Sequence, residues 1–248
     1  MHIAQLIAAI LSLTSVSAHG LVQRIIGGGQ FWSGNNPWWK GAVDSPAWFA
    51  DNFDYGFVSD VTNINITCHK GGRAGTQYIP VTAGSEVRLN WTGIWPHPGP
   101  VMSYLARCSG PCTSANPSDL KFFKIAHSGL LKNTNNTWQG LYWASNALRD
   151  NNNTGVVKLP TNIQPGDYVL RHEILALHAA YNVSGAQFYP QCVNLRISGS
   201  GNLLPSGTVA TKLYNQTAPG VLINIYWPTP TEYAIPGPKI AKGLQFSK

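Results

Sequence analysis

Short segments in which apolar and polar residues alternate make up most of the chain. In residues 86–91, the side chains of Val87, Leu89 and Trp91 fall on one face, which is the period of a half-buried strand. The longest such segment is Tyr168–Leu177. The other predicted strands are Val22–Ile26, Val101–Leu105, Leu120–Ile125, Val156–Leu159, Val193–Ile197 and Val221–Trp227. Many short strands separated by turn residues predict an all-β sandwich of mainly antiparallel strands with long loops, similar to immunoglobulin and fibronectin type III domains.

The stretch from Gly27 to Asp60 interrupts this pattern. It is rich in Gly, Trp, Asn and Asp, and it is interpreted as an extended loop rather than a pair of strands. Loops of that length are usually functional or disordered. No internal repeat or low-complexity linker follows, and no cysteine lies after Cys192 to staple a small further module, so residues 19–248 are predicted to form one domain without an appended binding module.

The first eighteen residues read as a secretory signal peptide. Ile3–Leu13 is apolar but much shorter than the ~20 residues of a membrane span, and Val16-Ser17-Ala18 is a small-residue cleavage site. Cleavage there would make His19 the first residue of a secreted protein. Six Asn-x-Ser/Thr sequons agree with this route and are candidate glycosylation sites: Asn65, Asn90, Asn135, Asn152, Asn182 and Asn215.

Cysteine count and charge narrow the class of protein. The chain has four cysteines, and an even number in a secreted protein implies disulfides. Three pairings are possible. Cys108 and Cys112 are close enough to close one loop, which leaves Cys68 for Cys192; the spacing does not fit a Cys-based zinc site. The net charge of +7 comes from scattered Lys and Arg without a basic cluster, so nucleic acid is not an expected partner.

Three residues could together bind a metal ion. A histidine at a mature N-terminus offers its amine and its ring Nδ1, although His19 could stand there by chance. His97 lies between prolines, which stiffen a loop, and Tyr189 follows Gln187 on the same face of a predicted strand. An exposed histidine and a buried tyrosine are the ordinary alternatives. Amine and imidazole nitrogens with a weak axial oxygen suit copper better than calcium or magnesium.

Over essentially all of the mature chain, the sequence resembles the fungal lytic polysaccharide monooxygenases of auxiliary activity family nine, formerly glycoside hydrolase family 61. The motifs that carry the resemblance are Ser17-Ala18-His19-Gly20, Ile66-Thr67-Cys68-His69-Lys70, His97-Pro98-Gly99-Pro100-Val101, Leu120-Lys121-Phe122-Phe123-Lys124-Ile125, Arg171–His178, Gly185–Cys192 and Ile235-Pro236-Gly237-Pro238. Each motif is weak alone, but the set in this order is specific.

The resemblance implies a role for each candidate residue. His19 and His97 would hold one copper ion in a T-shaped histidine brace, with the Tyr189 hydroxyl on the axis. His178 and Gln187 match the pair that hydrogen-bonds the oxygen species at the metal, and Tyr233 matches a surface tyrosine that stacks on sugar. The same resemblance implies the disulfides Cys68–Cys192 and Cys108–Cys112.

The resemblance also implies an oxidative reaction. A small reductant, or a redox enzyme such as cellobiose dehydrogenase, would supply electrons, and O2 or H2O2 would serve to hydroxylate C1 or C4 of a glucosyl unit in cellulose or a related β-glucan. The protein would act as a secreted monomer, away from membranes. The sequence does not distinguish C1 from C4 oxidation, and it does not show whether xylan, xyloglucan or soluble oligosaccharides are cut.

Two other functions remain open at this point. A non-catalytic copper- or carbohydrate-binding protein could share the same sandwich. A cellulose hydrolase would need two carboxylates roughly 5–9.5 Å apart, and the acids of the early loop, Asp44, Asp51, Asp54 and Asp60, are not paired by anything in the sequence. Loop aromatics that could contact sugar or simply pack in the core are Phe31, Trp32, Trp38 and Trp39, and histidines interpreted as structural are His69, His127 and His172.

Overall fold

The structure is a computed structural model that describes residues 20–38, 44–93, 95–133 and 140–247. Its strands are β1 (Val22–Gly27), β2 (Gln30–Ser33), β3 (Ile79–Thr82), β4 (Glu86–Trp91), β5 (Val101–Arg107), β6 (Lys121–Ser128), β7 (Leu130–Asn133), β8 (Leu141–Trp143), β9 (Thr154–Lys158), β10 (Gly166–Ala176), β11 (Gln187–Ser198) and β12 (Thr208–Val209). One α-helix among the described residues, α1, spans Ala144–Asp150. Within the described residues, no helix is long and apolar enough to cross a membrane.

Two sheets pack face to face and form the body of the protein. One has the strand order β2-β1-β4-β9, and the other has the order β12-β6-β5-β10-β11-β3. Within these sheets, β3 and β11 run parallel, while the other paired strands are antiparallel. This arrangement confirms the predicted β-sandwich.

The six-stranded sheet is buried on both faces, because long loops cover the side that does not meet the other sheet. On β5, Leu105 points between the two sheets, whereas its neighbour Tyr104 points into the layer beneath the loops. On β10, Leu170 likewise points between the two sheets, and Val169 points into the layer beneath the loops. The two apolar layers therefore share one sheet.

Two predictions about individual elements are wrong. Residues 221–227 form turns and bends instead of a strand, and Asn224 Oδ1 accepts a hydrogen bond from Tyr226 N at 2.9 Å. Such a local side-chain bond competes with strand pairing. The long early stretch is not entirely a loop, because β2 pairs with β1 and places Trp32 beside Ile25.

Both expected disulfides are present, and both are buried. Cys68–Cys192 ties the segment before β3 to the centre of β11, and Cys108–Cys112 closes the short loop after β5. No sulfur atom of these cysteines is placed on an open surface, since the four residues are at most 8% exposed. The long bond fixes β11, the strand that also carries Gln187 and Tyr189.

Candidate metal and catalytic site

The proline-rich segment that carries His97 is fixed to the end of β10 by backbone hydrogen bonds. Leu177 N donates to Pro98 O at 2.9 Å, and Leu175 N donates to Pro100 O at 3.1 Å. Proline carbonyls remain available as acceptors although proline nitrogens cannot donate. These two bonds hold His97 beside the residues that follow β10.

Gly99 allows this close approach. A Cβ atom added at Gly99 would lie 1.8 Å from Leu175 O, so any other residue would push the two backbones apart. The segment is also bonded from α1, where Ser145 Oγ donates to His97 O at 2.8 Å and Ser145 N donates to Gly99 O at 3.1 Å. The position of His97 is thus determined from two sides.

His178 lies directly against His97. The two half-buried imidazole rings stack with their centroids 3.8 Å apart and an angle of 14° between their planes. Because Leu177 is bonded to Pro98, the residue after Leu177 and the residue before Pro98 are brought into this contact. Tyr226 Oη donates to His178 O at 2.7 Å and holds the backbone of this turn.

Strand pairing between β10 and β11 brings the other two candidates to the same end of the sheet. Gln187 pairs with Ala176, the last residue of β10, and Tyr189 pairs with Ile174. The Tyr189 hydroxyl donates to Gln187 Oε1 at 2.9 Å. Burial, assisted by the negative charge of Asp54, raises the pKa of Tyr189, so its phenol stays protonated at any physiological pH.

Trp95 joins these residues to the N-terminal segment. Its ring packs edge-on against Tyr189, with centroids 4.8 Å apart, and its Nε1 donates to His97 O at 3.1 Å. On the other side, a Cβ placed on Gly20 would lie 3.8 Å from Trp95 Cζ3, and Leu21 N donates to Thr92 Oγ1 at 3.0 Å. Gly20 is therefore held beside Trp95, the same side chain that bonds to His97 O. His19 itself lies outside the described residues.

The chemistry of these groups fits a metal that prefers nitrogen and neutral oxygen ligands. The imidazole of His97 and the protonated phenol of Tyr189 both pack against Trp95, which also lies next to Gly20, and neither brings a carboxylate. Within the described ranges, no three His, Cys, Asp or Glu side chains form a group that could hold a metal ion. The predicted role of His19 as a further ligand stays a prediction.

The predicted sugar-stacking residue, Tyr233, lies near the site but is only partly exposed. Its hydroxyl donates to Gly220 O at 2.5 Å, and its ring packs edge-on against Trp143 at 5.0 Å. Trp143 directly precedes α1, whose Ser145 bonds to His97 O. Tyr233 is thus held rigidly on the α1 side of the site.

The loop aromatics take different positions. Phe31 and Trp38 are 71% and 58% exposed, whereas Trp32 packs against the core between the sheets. Trp39 lies outside the described residues. An aromatic residue that the sequence did not single out, Trp227, is 80% exposed next to Tyr226, which contacts the His178 turn. The sequence analysis placed Trp227 in a predicted strand, so it gave no reason to expect an exposed side chain there.

The acidic residues of the early loop do not resemble the acid pair of a hydrolase. Asp51 bonds to Arg73 and Asp54 bonds to Lys70, each at 2.8 Å, and these hydrogen bonds lower the pKa of both carboxyls. A general acid for glycoside hydrolysis needs a raised pKa. Asp60 also has a lowered pKa because Thr62 donates to it, and Asp44 accepts hydrogen bonds from the Thr76 and Gln77 side chains.

The three remaining histidines lie away from the His97–His178 contact. His69 is buried, and its pKa is lowered to about 4 mainly by desolvation. His127 is half-buried beside Lys124, and His172 is buried in the layer between the sheets, where it contacts Trp91. His172 shares a strand with the site residues but points into the sandwich.

The sequons differ in exposure. Asn90 is half-buried on β4, and its amide nitrogen donates to Asn152 O and Thr154 Oγ1. Asn65 is half-buried as well, and Asn135 lies outside the described residues. The exposed candidates, whose side chains could accept a glycan without rearrangement, are Asn152, Asn182 and Asn215.

Comparison with known proteins shows the family to which the chain belongs. The profile of "Auxiliary Activity family 9 (formerly GH61)" matches residues 19–233. The AA9 family lytic polysaccharide monooxygenase cel61A of Hypocrea jecorina (strain QM6a) is 44% identical, over 98% of this chain and 71% of that protein. Monooxygenase F of Malbranchea cinnamomea is also 44% identical, over 95% of this chain and 97% of that protein. The solved extended catalytic domain of H. jecorina LPMO9A superposes with a TM-score of 0.85 and 43% identity, covering 93% of this chain and 96% of that one.

Proposed function

Because the chain belongs to auxiliary activity family 9 and is thus a lytic polysaccharide monooxygenase, we propose that it uses copper to cleave the β-1,4-glycosidic bonds of cellulose oxidatively. The observation that carries this proposal is the meeting of three segments at Trp95. There His97, Tyr189 and Gly20 each lie next to the Trp95 ring, and Gly20 directly follows His19 in the sequence. The sugar would be oxidised at C1, at C4 or at both.

Three residues would hold the copper ion. His19 would give its terminal amine and ring Nδ1, and His97 would give one ring nitrogen. The Tyr189 hydroxyl donates its hydrogen to Gln187, so the lone pairs of its neutral oxygen could serve as a weak ligand to copper. When bound, copper supplies the one-electron redox chemistry and the activation of O2 or H2O2.

His178 and Gln187 would orient the oxygen that reacts. Gln187 Oε1 accepts the hydrogen bond from Tyr189, which orients the amide, and the NH2 group of Gln187 would donate a hydrogen bond to that oxygen. His178 is held by its stack on His97 and by the Tyr226 bond to its carbonyl. A fixed imidazole of this kind can donate a proton at one ring nitrogen without changing its position.

Aromatic rings around the site would bind the polysaccharide. Tyr233 is fixed on the α1 side, and the exposed Trp227 stands beside the His178 turn. Flat rings pack on the apolar faces of sugar rings, which suits a crystalline chain that cannot enter a deep pocket. We expect electrons from a small reductant or from a redox enzyme such as cellobiose dehydrogenase.

We further propose that the protein is secreted as a single catalytic domain, residues 19–248, after loss of residues 1–18. The two disulfides are the supporting observation, since such bonds persist in oxidising compartments. We also propose that it acts as a monomer.

The decisive experiment compares the chain that begins at His19 with a form that keeps one extra residue before it. An amide nitrogen is a poor ligand, so the extended form should fold normally but lose much of its copper affinity and nearly all oxidised products. Calorimetry with Cu(II) and mass spectrometry of products from swollen cellulose, with and without ascorbate, measure both effects. Equal affinity and activity in the two forms would exclude the histidine brace.

The same assay separates the alternatives. A hydrolase would release unoxidised sugars without a reductant, and a binding protein would release nothing under either condition. Oxidised products that require both copper and ascorbate are the result expected here.

A further inference from the structure

An exposed turn that follows His178 carries a sequon beside the proposed metal site. This rim turn, residues 181–184 with the sequence Tyr-Asn-Val-Ser, has all four residues exposed, and Asn182 is the acceptor of the sequon. Tyr226 joins the rim turn to the site, because its Oη donates to His178 O at 2.7 Å and its ring packs edge-on against Tyr181, with centroids 6.3 Å apart. A group attached to Asn182 would therefore stand next to the site on the Tyr226 side.

The rim turn is built from the backbone of Asn182, which leaves the side chain available for modification. Asn182 N donates to Ala179 O at 3.3 Å, and Asn182 O accepts from Gly185 N at 2.9 Å. The turn closes tightly at Gly185, where an added Cβ would lie 1.9 Å from Ala179 O. A sugar on Asn182 Nδ2 replaces one amide hydrogen and keeps both of these backbone bonds.

Asn90 shows the cost that a different sequon would bear. Its Nδ2, the atom that would carry a sugar, donates to Asn152 O at 2.9 Å and to Thr154 Oγ1 at 3.0 Å. Because an amide has only two such hydrogens, a sugar on Asn90 would remove one of these bonds. Asn90 is also half-buried, whereas Asn182 is exposed. The structure therefore favours Asn182 over Asn90 as a carrier.

Exposed apolar side chains flank Asn182 on both sides. Tyr181 is 53% exposed and Val183 is 61% exposed. The N-acetylglucosamine that begins an N-linked glycan has an apolar ring face and an acetyl methyl group, which can pack on such side chains while its hydroxyls face water. Glycans are bulky and hydrated, so a glycan at this position would separate both side chains from any flat surface that approaches the site.

We propose that Asn182 carries an N-linked glycan that covers Tyr181 and Val183 and weakens adsorption of the copper face to crystalline cellulose. In the secretory route, Asn182 Nδ2 forms a bond to C1 of the first N-acetylglucosamine. The bond from C1 to the diphosphate of the polyprenyl lipid donor breaks, the lipid diphosphate leaves, and the amide proton passes to a base of the transferase. The glycan assignment is independent of the proposed function, whereas its effect on adsorption rests on that function.

Peptide mass spectrometry of the protein secreted by a fungal host tests the assignment. Peptide N-glycosidase F in heavy-oxygen water converts a glycosylated Asn to an Asp that contains heavy oxygen, so the peptide that spans residues 181–184 should gain this label. An Asn182 that stays unlabelled and unmodified would overturn the assignment. The result requires neither copper nor oxidation, so it is independent of whether the proposed function is correct.

Adsorption of the copper-loaded protein to crystalline cellulose tests the covering role. Asn182→Gln and Ser184→Ala each destroy the sequon by a different change. Each should lower the adsorption Kd roughly 3- to 10-fold, the gain expected when partly exposed apolar side chains reach a surface. Asn215→Gln is the matched control, because Asn215 follows Tyr214, which is bonded to the buried Glu173 of β10, and this variant should adsorb like the wild type.

The same proteins made in a bacterial periplasm, which forms disulfides but attaches no such glycan, separate the glycan from the side chain that carries it. There Asn182→Gln and Ser184→Ala should adsorb like the bacterial wild type. A gain that persists in the bacterial proteins, or no gain in the fungal ones, would overturn the covering role. If no form adsorbs to cellulose, the cellulose substrate fails together with the covering role, and the peptide map alone decides the glycan assignment.

Discussion

Gly99→Ala is the sharpest test of how the fold builds the metal site. The new methyl group would overlap Leu175 O, which lies 1.8 Å from the Cβ position, and the backbones must separate to relieve the clash. Separation weakens the Pro98–Leu177 and Pro100–Leu175 hydrogen bonds. Overpacking costs about 1–3 kcal/mol and each bond about 0.5–1.5 kcal/mol, so the free energy of unfolding should fall by roughly 2–6 kcal/mol.

The loss should also appear in copper binding, because His97 is held beside His178 by the same two bonds. Chemical denaturation and Cu(II) calorimetry on the secreted protein measure the two effects. Gly110→Ala is the matched control, since a Cβ there meets nothing within 4 Å. If Gly99→Ala equals Gly110→Ala in both stability and copper affinity, the contact with Leu175 does not position His97.

The structure also predicts the effects of a substitution at His178, of acid, and of removing each disulfide. His178→Ala should lower turnover on the order of 10- to 100-fold while the copper Kd changes much less, because His178 is not a proposed ligand; loss of copper binding would contradict that role. Acid should destabilise the fold: His172 stays neutral when folded, with a pKa of about 4, but is protonated below about 6.5 when unfolded. The free energy of unfolding should thus fall by about 3 kcal/mol between pH 6.5 and 4, and His172→Asn should remove this part of the slope in denaturation measured across that range. Removing the Cys68–Cys192 bond, with a sequence separation of 124, should cost about 4–5 kcal/mol in thermal or chemical unfolding. Removing Cys108–Cys112, with a separation of 4, should cost far less, and equal losses would argue against the loop-length explanation.

Strands that bury one face could be predicted from the alternation of apolar and polar residues. Turns set by a side-chain hydrogen bond and very short helices could not be predicted in this way. Glu86–Trp91 was predicted with its observed bounds because its alternation is uninterrupted. The segment after Val221 is equally apolar, but Asn224 bonds to the backbone of Tyr226 and turns the chain. Helix α1 was missed because a helix of seven residues shows too few turns for a period to be recognised.

His19, His97 and Tyr189 were candidates from their residue types and positions, whereas the roles of His178, Gln187 and Tyr233 came from the resemblance. The structure supplies the contacts that relate the described members of this set. Nothing in the sequence pairs Pro98 with Leu177, since bonds between distant segments depend on how the sheets assemble. The supporting role of Trp95 was missed for the same reason. Trp95 stands two residues before His97 in the sequence, but its contacts with Tyr189 and with the segment at Gly20 arise only in the folded chain.

The burial of the disulfides has a consequence for a protein that must work among reductants. Thiol–disulfide exchange requires a thiolate to reach a sulfur atom, so access limits its rate. Cys68 and Cys192 are 3% and 4% exposed, and they lie in the layer that the long loops cover. The electron donor is proposed to act at the copper site, and the sulfur atoms of this disulfide are buried away from solvent. The covalent frame around β11 should therefore survive in the reducing solution that the reaction itself demands.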